Sequence, residues 1–480
     1  MRVKHNGTLR SASRSFGRRV WTSPATVVLL AGTGFLAMLL WGSAPALAQE
    51  AISAEEPTPG SVYEEVTPMD WSFQEKPGEP GSFPSLKDPL KDTSPFFRDT
   101  KLDLNLRTYY FIRDKFDNAK SEAWALGGAI AYRSGWLLDH FAVGAALYTS
   151  QPLYAPDDRD GTLLLKPGQE GYTVLGQLYG RVKIVGENFI NIYRYEYNTP
   201  YLNKNDTRMT PNTFEGYTFT GATGGGDGAP KFTYGAGYID KIKPRNADSF
   251  ISMSEAAGAT VKRGVFVGGG NAAFARFSIG AVDYYSEDII NIGYAEAKYT
   301  AALTERTGLL FAAQFTDQRS VGDDLLKGYS FKTNQAGVKV ELSHEGGILT
   351  LAYTADSEGA ALQTPWGLYP GYTNVQVQEF NRAGENAFMV KGSYDFSRLG
   401  LAGVTAYALW VHGSGAVDPV TKAGVYNQDE YDGDLQWRPK SGDLKGLWFR
   451  IRYAHVDQRG AGDASMNEFR IIVNYDLSLL

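Results

Sequence analysis

Between residues 101 and 478 the chain repeats one local pattern: segments of about ten residues in which apolar and polar side chains alternate, separated by turns of Gly, Asn, Asp and Pro. Alternation with period two sends successive side chains to opposite faces of a strand. In residues 101–113, Leu102, Leu104 and Leu106 share one face, and Asp103, Asn105, Arg107 and Tyr109 share the other. In residues 174–184, Val174, Leu178, Val182 and Ile184 alternate with Gln177, Tyr179, Arg181 and Lys183. Near the end, Leu447, Phe449, Ile451 and Tyr453 oppose Trp448, Arg450, Arg452 and Ala454. In the last segment Phe469, Ile471, Val473, Tyr475 and Leu477 oppose Arg470, Ile472 and Asn474.

One greasy and one charged face, repeated about eighteen times at about 21 residues per repeat, predicts an all-β transmembrane barrel of about 18 antiparallel strands. An even count leaves both chain ends on one side. Long connections are expected near residues 151–172, 199–216, 243–262, 318–332, 357–385 and 413–428, outside the cell or folded into the pore. A soluble β-sandwich also alternates, but it would not need so many strands ending in aromatic pairs such as Tyr109-Tyr110, Tyr284-Tyr285 and Trp448-Phe449. After residue 48 no apolar run approaches the roughly 20 residues of a helical span. A closed barrel is the other way to satisfy backbone hydrogen bonds in lipid.

The beginning of the chain reads differently. Arg2, Lys4, Arg10, Arg14, Arg18 and Arg19 precede an apolar run from Ala25 to Leu40 and then Ala46-Leu47-Ala48. This order is that of a secretory signal over residues 1–48, cleaved after Ala48, although a lone membrane anchor is the alternative. Residues 49–95 carry Pro57, Pro59, Pro68, Pro77, Pro80 and Pro84 with many Glu and Ser, and are expected to be a disordered or loosely attached periplasmic arm. The barrel then occupies residues 96–480. Loss of the signal removes six basic residues and leaves a mature charge of about −12. That balance argues against a nucleic-acid partner.

There is no cysteine, which excludes disulfides, thiolate nucleophiles and zinc-thiolate sites. Beyond His5, the histidines His140, His344, His412 and His455 show no metal spacing. The glycine runs 224–226 and 268–270 lack the Lys-Ser/Thr of a phosphate loop. No cofactor, metal site or catalytic constellation is expected. Composition agrees with a barrel that has a polar lumen and aromatic girdles, with 29 Tyr, 25 Phe, 9 Trp and 54 Gly.

Several segments resemble the OprD family of outer-membrane porins. Residues 104–111 (LNLRTYYF) resemble its opening strand, residues 203–216 (NKNDTRMTPNTFEG) its pore-folding loop, and Arg450 to Ala454 with Asn467 to Arg470 its two closing strands. Further likeness lies at Trp124 to Trp136, Asp160-Gly161, Gly176 to Gly180 and Tyr238 to Ser252, so the resemblance covers essentially residues 96–480. It implies a monomeric or loosely trimeric eighteen-stranded porin in the outer membrane of a Gram-negative bacterium. A basic ladder on one lumen wall would face an acidic or tyrosine-lined pocket and pass small carboxylate-bearing solutes. The implied surroundings are outer-membrane lipid, lipopolysaccharide and the barrel-assembly machinery. The last strand resembles the terminal signal of that machinery, but the chain ends in Leu479-Leu480 rather than the usual Phe.

The alternation places Arg450 and Arg452 on the lumen face of one strand and Arg470 inward on the next, with same-face neighbours roughly 6.7 Å apart. Arg107 on the first strand would adjoin the last in a closed barrel. Arg181, Lys183 and Lys391 also fall on lumen faces. Guanidinium suits such a ladder because it forks onto carboxylates and stays charged. The same arginines could instead pair with lumen acids and brace the wall; no equal run of acids sits on their own strands, which favours the ladder. Asp206, Arg208, Asn212 and Glu215 are the candidate constriction-loop residues, either contacting solute or tying the loop down. Tyr284, Tyr285 and Asp288 are candidates for the opposing pocket, although an aromatic pair at a strand end is as readily a girdle. The ladder is easier to locate than an acid pocket, which favours organic or aromatic acids over amino acids. A barrel enzyme of phospholipase or protease type, and a plugged structural barrel, are the alternatives.

Overall fold

A computed structural model describes residues 81–82 and 88–480, except 227 and 461–463. The expected signal and most of the expected arm lie outside the described residues. Eighteen long strands follow one another in chain order. They are β1 (Lys101–Asp114), β2 (Lys120–Arg133), β3 (Phe141–Tyr154), β4 (Tyr172–Lys183), β5 (Phe189–Tyr195) and β6 (Thr213–Gly224). Next come β7 (Lys231–Lys243), β8 (Val265–Phe274), β9 (Phe277–Ser286), β10 (Ile290–Thr304), β11 (Thr307–Arg319) and β12 (Lys332–His344). The last six are β13 (Gly347–Asp356), β14 (Asn386–Asp395), β15 (Val404–Ser414), β16 (Asn427–Trp437), β17 (Leu447–Arg459) and β18 (Ala464–Ser478).

Each strand pairs antiparallel with the next, and β1 pairs with β18 from Asp103↔Ser478 to Asp114↔Asn467, which closes the ring. Closure leaves no free edge along the wall, so the backbone is satisfied without water. The two faces are inverted relative to a water-soluble protein. Leu106, Ile130, Leu147, Phe315, Val338, Tyr353 and Tyr453 are exposed on the outside, while Glu296, Gln314, Gln318, Gln335, Arg470 and Asn474 are buried inside. Such a continuous apolar exterior fits lipid, since soluble monomers rarely expose patches above a few hundred Å².

The six long connections, residues 155–171, 196–212, 244–264, 320–331, 357–385 and 415–426, all fall at one end of the barrel. Both barrel termini lie at the other, the turn end. Residues 196–212 and 357–385 fold inward and meet at the parallel Leu202↔Trp366 bridge. Their Tyr201, Leu202, Trp366 and Tyr369 bury against Tyr284, Ile292 and Tyr294 of the wall. The Tyr201 ring stands 6.1–6.2 Å from those of Tyr284, Tyr294 and Tyr369, and Trp366 Nε1 donates to the Met253 carbonyl at 2.8 Å. The loops therefore fill one side of the lumen with an apolar core and leave the passage on the other.

One expectation is corrected here. Val174 does not share the outer face of Leu178. A bulge opposite Ala146/Leu147 shifts the phase at Gly176, so Val174 is buried with Tyr148 and Tyr172, and Leu175 is the exposed residue. A Cβ on Gly176 would lie 2.5 Å from the Tyr148 ring, so this crossing needs glycine. Gly81–Ser82 pairs parallel with Leu477–Ser478, where β18 runs past the last β17 pairing at Leu447↔Tyr475, and Asp88–Leu90 and Pro95–Arg98 form short helical turns.

Candidate translocation path

The open side of the lumen holds a cavity of about 810 Å³. Arg107, Arg450, Arg452, Arg470 and Lys391 line it, as do Asp206 and Arg208 of the inward loop. Register turns the sequence positions into rows. Arg107 sits beside Asn474; one row nearer the loop end, Arg450, Ile472 and Tyr109 are neighbours; then Arg452, Arg470 and Phe111; then Glu468 and Arg113. At roughly 6.7 Å per row this staircase of guanidinium groups spans about 20 Å across three strands.

Each step has a carboxylate partner. Arg107 grips Asp206 with Nη1 at 2.6 Å and Nη2 at 3.0 Å, and donates Nε to Asn474 at 2.6 Å. Arg450 and Arg452 share Asp434, at 2.7 and 2.9 Å, and Arg452 Nη2 donates to the Tyr407 hydroxyl at 2.7 Å. Arg470 and Arg113 share Glu468, the latter through Nε at 2.6 Å. The wall-bracing role is thus real, and its acids come from three places: Asp206 from the inward loop, Glu468 from β18, the strand of Arg470 itself, and Asp434 from β16, in register with Arg452. Bracing does not exhaust the donors. A guanidinium carries five N–H groups, and Arg452 Nε, although 2.9 Å from Asp434, makes no directed hydrogen bond.

Two loop arginines add charge to the passage. Arg208 donates to the carbonyls of Thr162 and Thr207, both at 2.8 Å, and Arg245 donates to Asn205 Oδ1 at 3.0 Å and to Thr207 Oγ1. Among the described residues neither forms an ion pair. Burial, then the charges of Arg470 and Arg245, push the Arg208 guanidinium well below its usual range, and burial with Arg470 brings Arg245 down to about 10.

The second inward loop is pinned by its backbone. Glu430 accepts the Val377 and Gln378 amides at 2.7 Å each, Asp432 accepts the Gln376 amide at 3.1 Å, and Arg470 donates to the Gln376 carbonyl at 3.1 Å. Three consecutive amides held by two wall carboxylates fix the loop tip beside the staircase.

Other expected site residues lie elsewhere. Arg181 and Lys183 end β4 at the turn end, where Arg181 stacks 3.8 Å over Phe189, away from the cavity. Asn212 is buried and donates to the Asn203 carbonyl at 3.2 Å, which shapes the loop. Glu215 belongs to β6 rather than to the loop, and it pairs with Arg194 at 3.1 Å and Lys241 at 2.9 Å. Tyr284 is covered by the inward loop, with its hydroxyl bonded to Thr199 at 2.8 Å. Tyr285 falls on the other face of the same strand, and Asp288 pairs with Arg263 in a turn at 3.0 Å. The rest of the lining carries Glu296, Lys298, Lys339, Glu341 and Lys391, with Tyr372 and Glu379 from the loop. Its sequence signal is charge at i and i+2, as in Glu296-Ala297-Lys298 and Lys339-Val340-Glu341.

An eighteen-stranded barrel with an apolar exterior and a loop-narrowed, charged lumen is an outer-membrane pore. The chain belongs to the OprD family of outer membrane porins, whose family model matches residues 94–479, and it is a substrate-specific channel of the outer membrane. It is 27% identical to Porin D of Pseudomonas aeruginosa over 80% of this chain and 92% of that protein. It is 24% identical to the porin-like protein GalP of Pseudomonas putida over 80% of this chain and 93% of that one. Among solved structures, OccK9 (OpdG) of Pseudomonas aeruginosa superposes with a TM-score of 0.71 at 24% identity, covering 80% of this chain and all of that one. OccAB3 of Acinetobacter baumannii gives 0.72 at 19%, covering 79% and 100%. OpdK of Pseudomonas aeruginosa, solved with vanillate, gives 0.68 at 22%, covering 80% and 100%.

Proposed function

We propose that the channel conducts small carboxylate-bearing solutes, organic or aromatic acids ahead of amino acids, by passive diffusion along Arg107, Arg450, Arg452, Arg470 and Arg113. The observation that carries this reading is the charge of the passage, whose lining holds eleven Lys and Arg side chains against five Asp and Glu. In a low-dielectric wall such an excess concentrates anions, and the row spacing lets a carboxylate engage the next guanidinium before it leaves the last. Spare N–H groups on arginines already positioned by acids cost little to reuse, which keeps binding weak enough for release. Vanillate, the ligand solved with OpdK, is an aromatic carboxylate of this class.

The test is Arg450→Ala with Arg452→Ala in proteoliposomes. Permeation of a small carboxylate is expected to fall about 10- to 100-fold, the equivalent of one or two charge-assisted hydrogen bonds, while a neutral sugar of similar size changes little. Equal loss for both solutes would leave the pair a purely structural role.

A further inference from the structure

One buried ring touches three of the guanidinium groups that line the cavity. We propose, resting on the carboxylate reading above, that Phe111 is a positioning residue for solute capture: its ring gathers Arg113, Arg208 and Arg470 into a single carboxylate-binding cluster at the loop end of the staircase.

Strand geometry brings two of the three together. Phe111 is in register with Arg470 of β18, and Arg113 follows two residues on along the same face of β1. The third comes from the inward loop, whose backbone is held at this place by Arg107 Nη1, a donor to the Arg208 carbonyl at 2.5 Å. The guanidinium carbons of Arg208, Arg113 and Arg470 stand 5.1, 5.4 and 5.5 Å from the centre of the Phe111 ring. All three charges thus lie within 5.5 Å of one point. The ring itself is fully buried with Ala123, Leu164, Leu165, Met209 and Ile472, whereas the three arginines line the cavity. Phe111 therefore backs the cluster from the protein side and leaves the solute side to N–H groups.

An aromatic face does here what acids do elsewhere on the staircase, without cancelling charge. Arg107 is braced by Asp206, and Arg450 and Arg452 by Asp434. Around the ring, Glu468 accepts from Arg113 and Arg470, and Arg208 has no ion pair among the described residues. Three like charges so close repel one another, and the negative face of an aromatic ring attracts each cation within about 6 Å of its centre. An aliphatic side chain would fill the same space but exert no such pull. Arg208 depends most on this support. It donates Nε and Nη1 to the Thr162 and Thr207 carbonyls, which leaves Nη2 uncommitted among the described residues.

The experiment reads the benzoate concentration that halves the single-channel current of the full chain in planar bilayers bathed in potassium chloride. Phe111→Leu is expected to raise that concentration about 5- to 10-fold. Replacing Phe111 by mono-, di- and trifluorophenylalanine withdraws negative charge from the ring face at nearly constant size, so the half-blocking concentration should climb with each fluorine. A flat response to fluorine, or a leucine variant that benzoate blocks as it does wild type, overturns the proposal. The fluorine series decides the matter even where Phe111→Leu fails to insert, because packing alone does not follow fluorine number. A wild-type channel that benzoate blocks no better than benzyl alcohol, its neutral counterpart, sinks the carboxylate reading itself and the proposal with it, a result distinct from a flat series.

Discussion

Arg107 on β1 and Asp206 in the inward loop meet as a two-pronged pair, Nη1 to Oδ1 at 2.6 Å and Nη2 to Oδ2 at 3.0 Å, which fastens the constriction to the wall it narrows. The same Nη1 also reaches the Arg208 carbonyl at 2.5 Å, so the loop backbone and side chain are held together. Asp206→Ala removes the charged half of this anchor and strands a buried guanidinium, at a cost of about 1–3 kcal/mol. The expected outcome is a larger and noisier single-channel conductance, with an earlier thermal transition in detergent.

Asp434 neutralises two arginines at once. In Asp434→Asn the side chain keeps its shape but loses its charge, so Arg450 and Arg452 face the cavity with one more net positive charge. Reversal potentials in a salt gradient should shift toward stronger anion selectivity, and a carboxylate should block small-ion current for longer. A shift toward cations would contradict the role given to this pair.

Glu430 offers two oxygens to two amides of the second inward loop. Glutamine at this position keeps one acceptor and brings an NH₂ group against an amide donor, so Glu430→Gln should loosen the tip at Gln376 to Gln378. Flickering of the open channel and faster proteolysis within residues 357–385 would register this. Glu430→Asp, which keeps both oxygens, should be milder.

Burial raises the Glu379 carboxyl above the usual glutamate range, against the lowering effect of hydrogen bonds from Thr364 and Asn381. A raised value means that the proton is taken up at a higher pH than by an exposed glutamate. As pH falls from neutral, Glu379 therefore loses its charge early and the lining becomes more positive. Anion selectivity should rise over that step, and Glu379→Gln should show the higher selectivity already at neutral pH and lose the step.

The barrel and much of its basic wall were legible from one local rule. Side chains alternate along any strand, so Arg450, Arg452 and Arg470 could be put on the lumen face, and the long connections placed, without knowing which strands were neighbours. The rule failed where the backbone broke phase, at the Gly176 bulge that turned Val174 inward, and where chain folded over the wall, as the inward loop covers Tyr284. It also missed Arg245, a loop residue with no period to place it.

What the sequence by itself determined is the two-faced strand, its repetition and the turns between, because each depends only on residues a few positions apart. The tertiary structure alone decided which charges meet. Asp434 joins Arg450 and Arg452 through the register of β16 on β17, and Lys298 shares a row with Lys339 across β11. Arg107 finds Asp206 because a loop ninety-odd residues on bends back into the lumen. Register and loop entry are long-range outcomes of closing the ring, and no short stretch of chain encodes them.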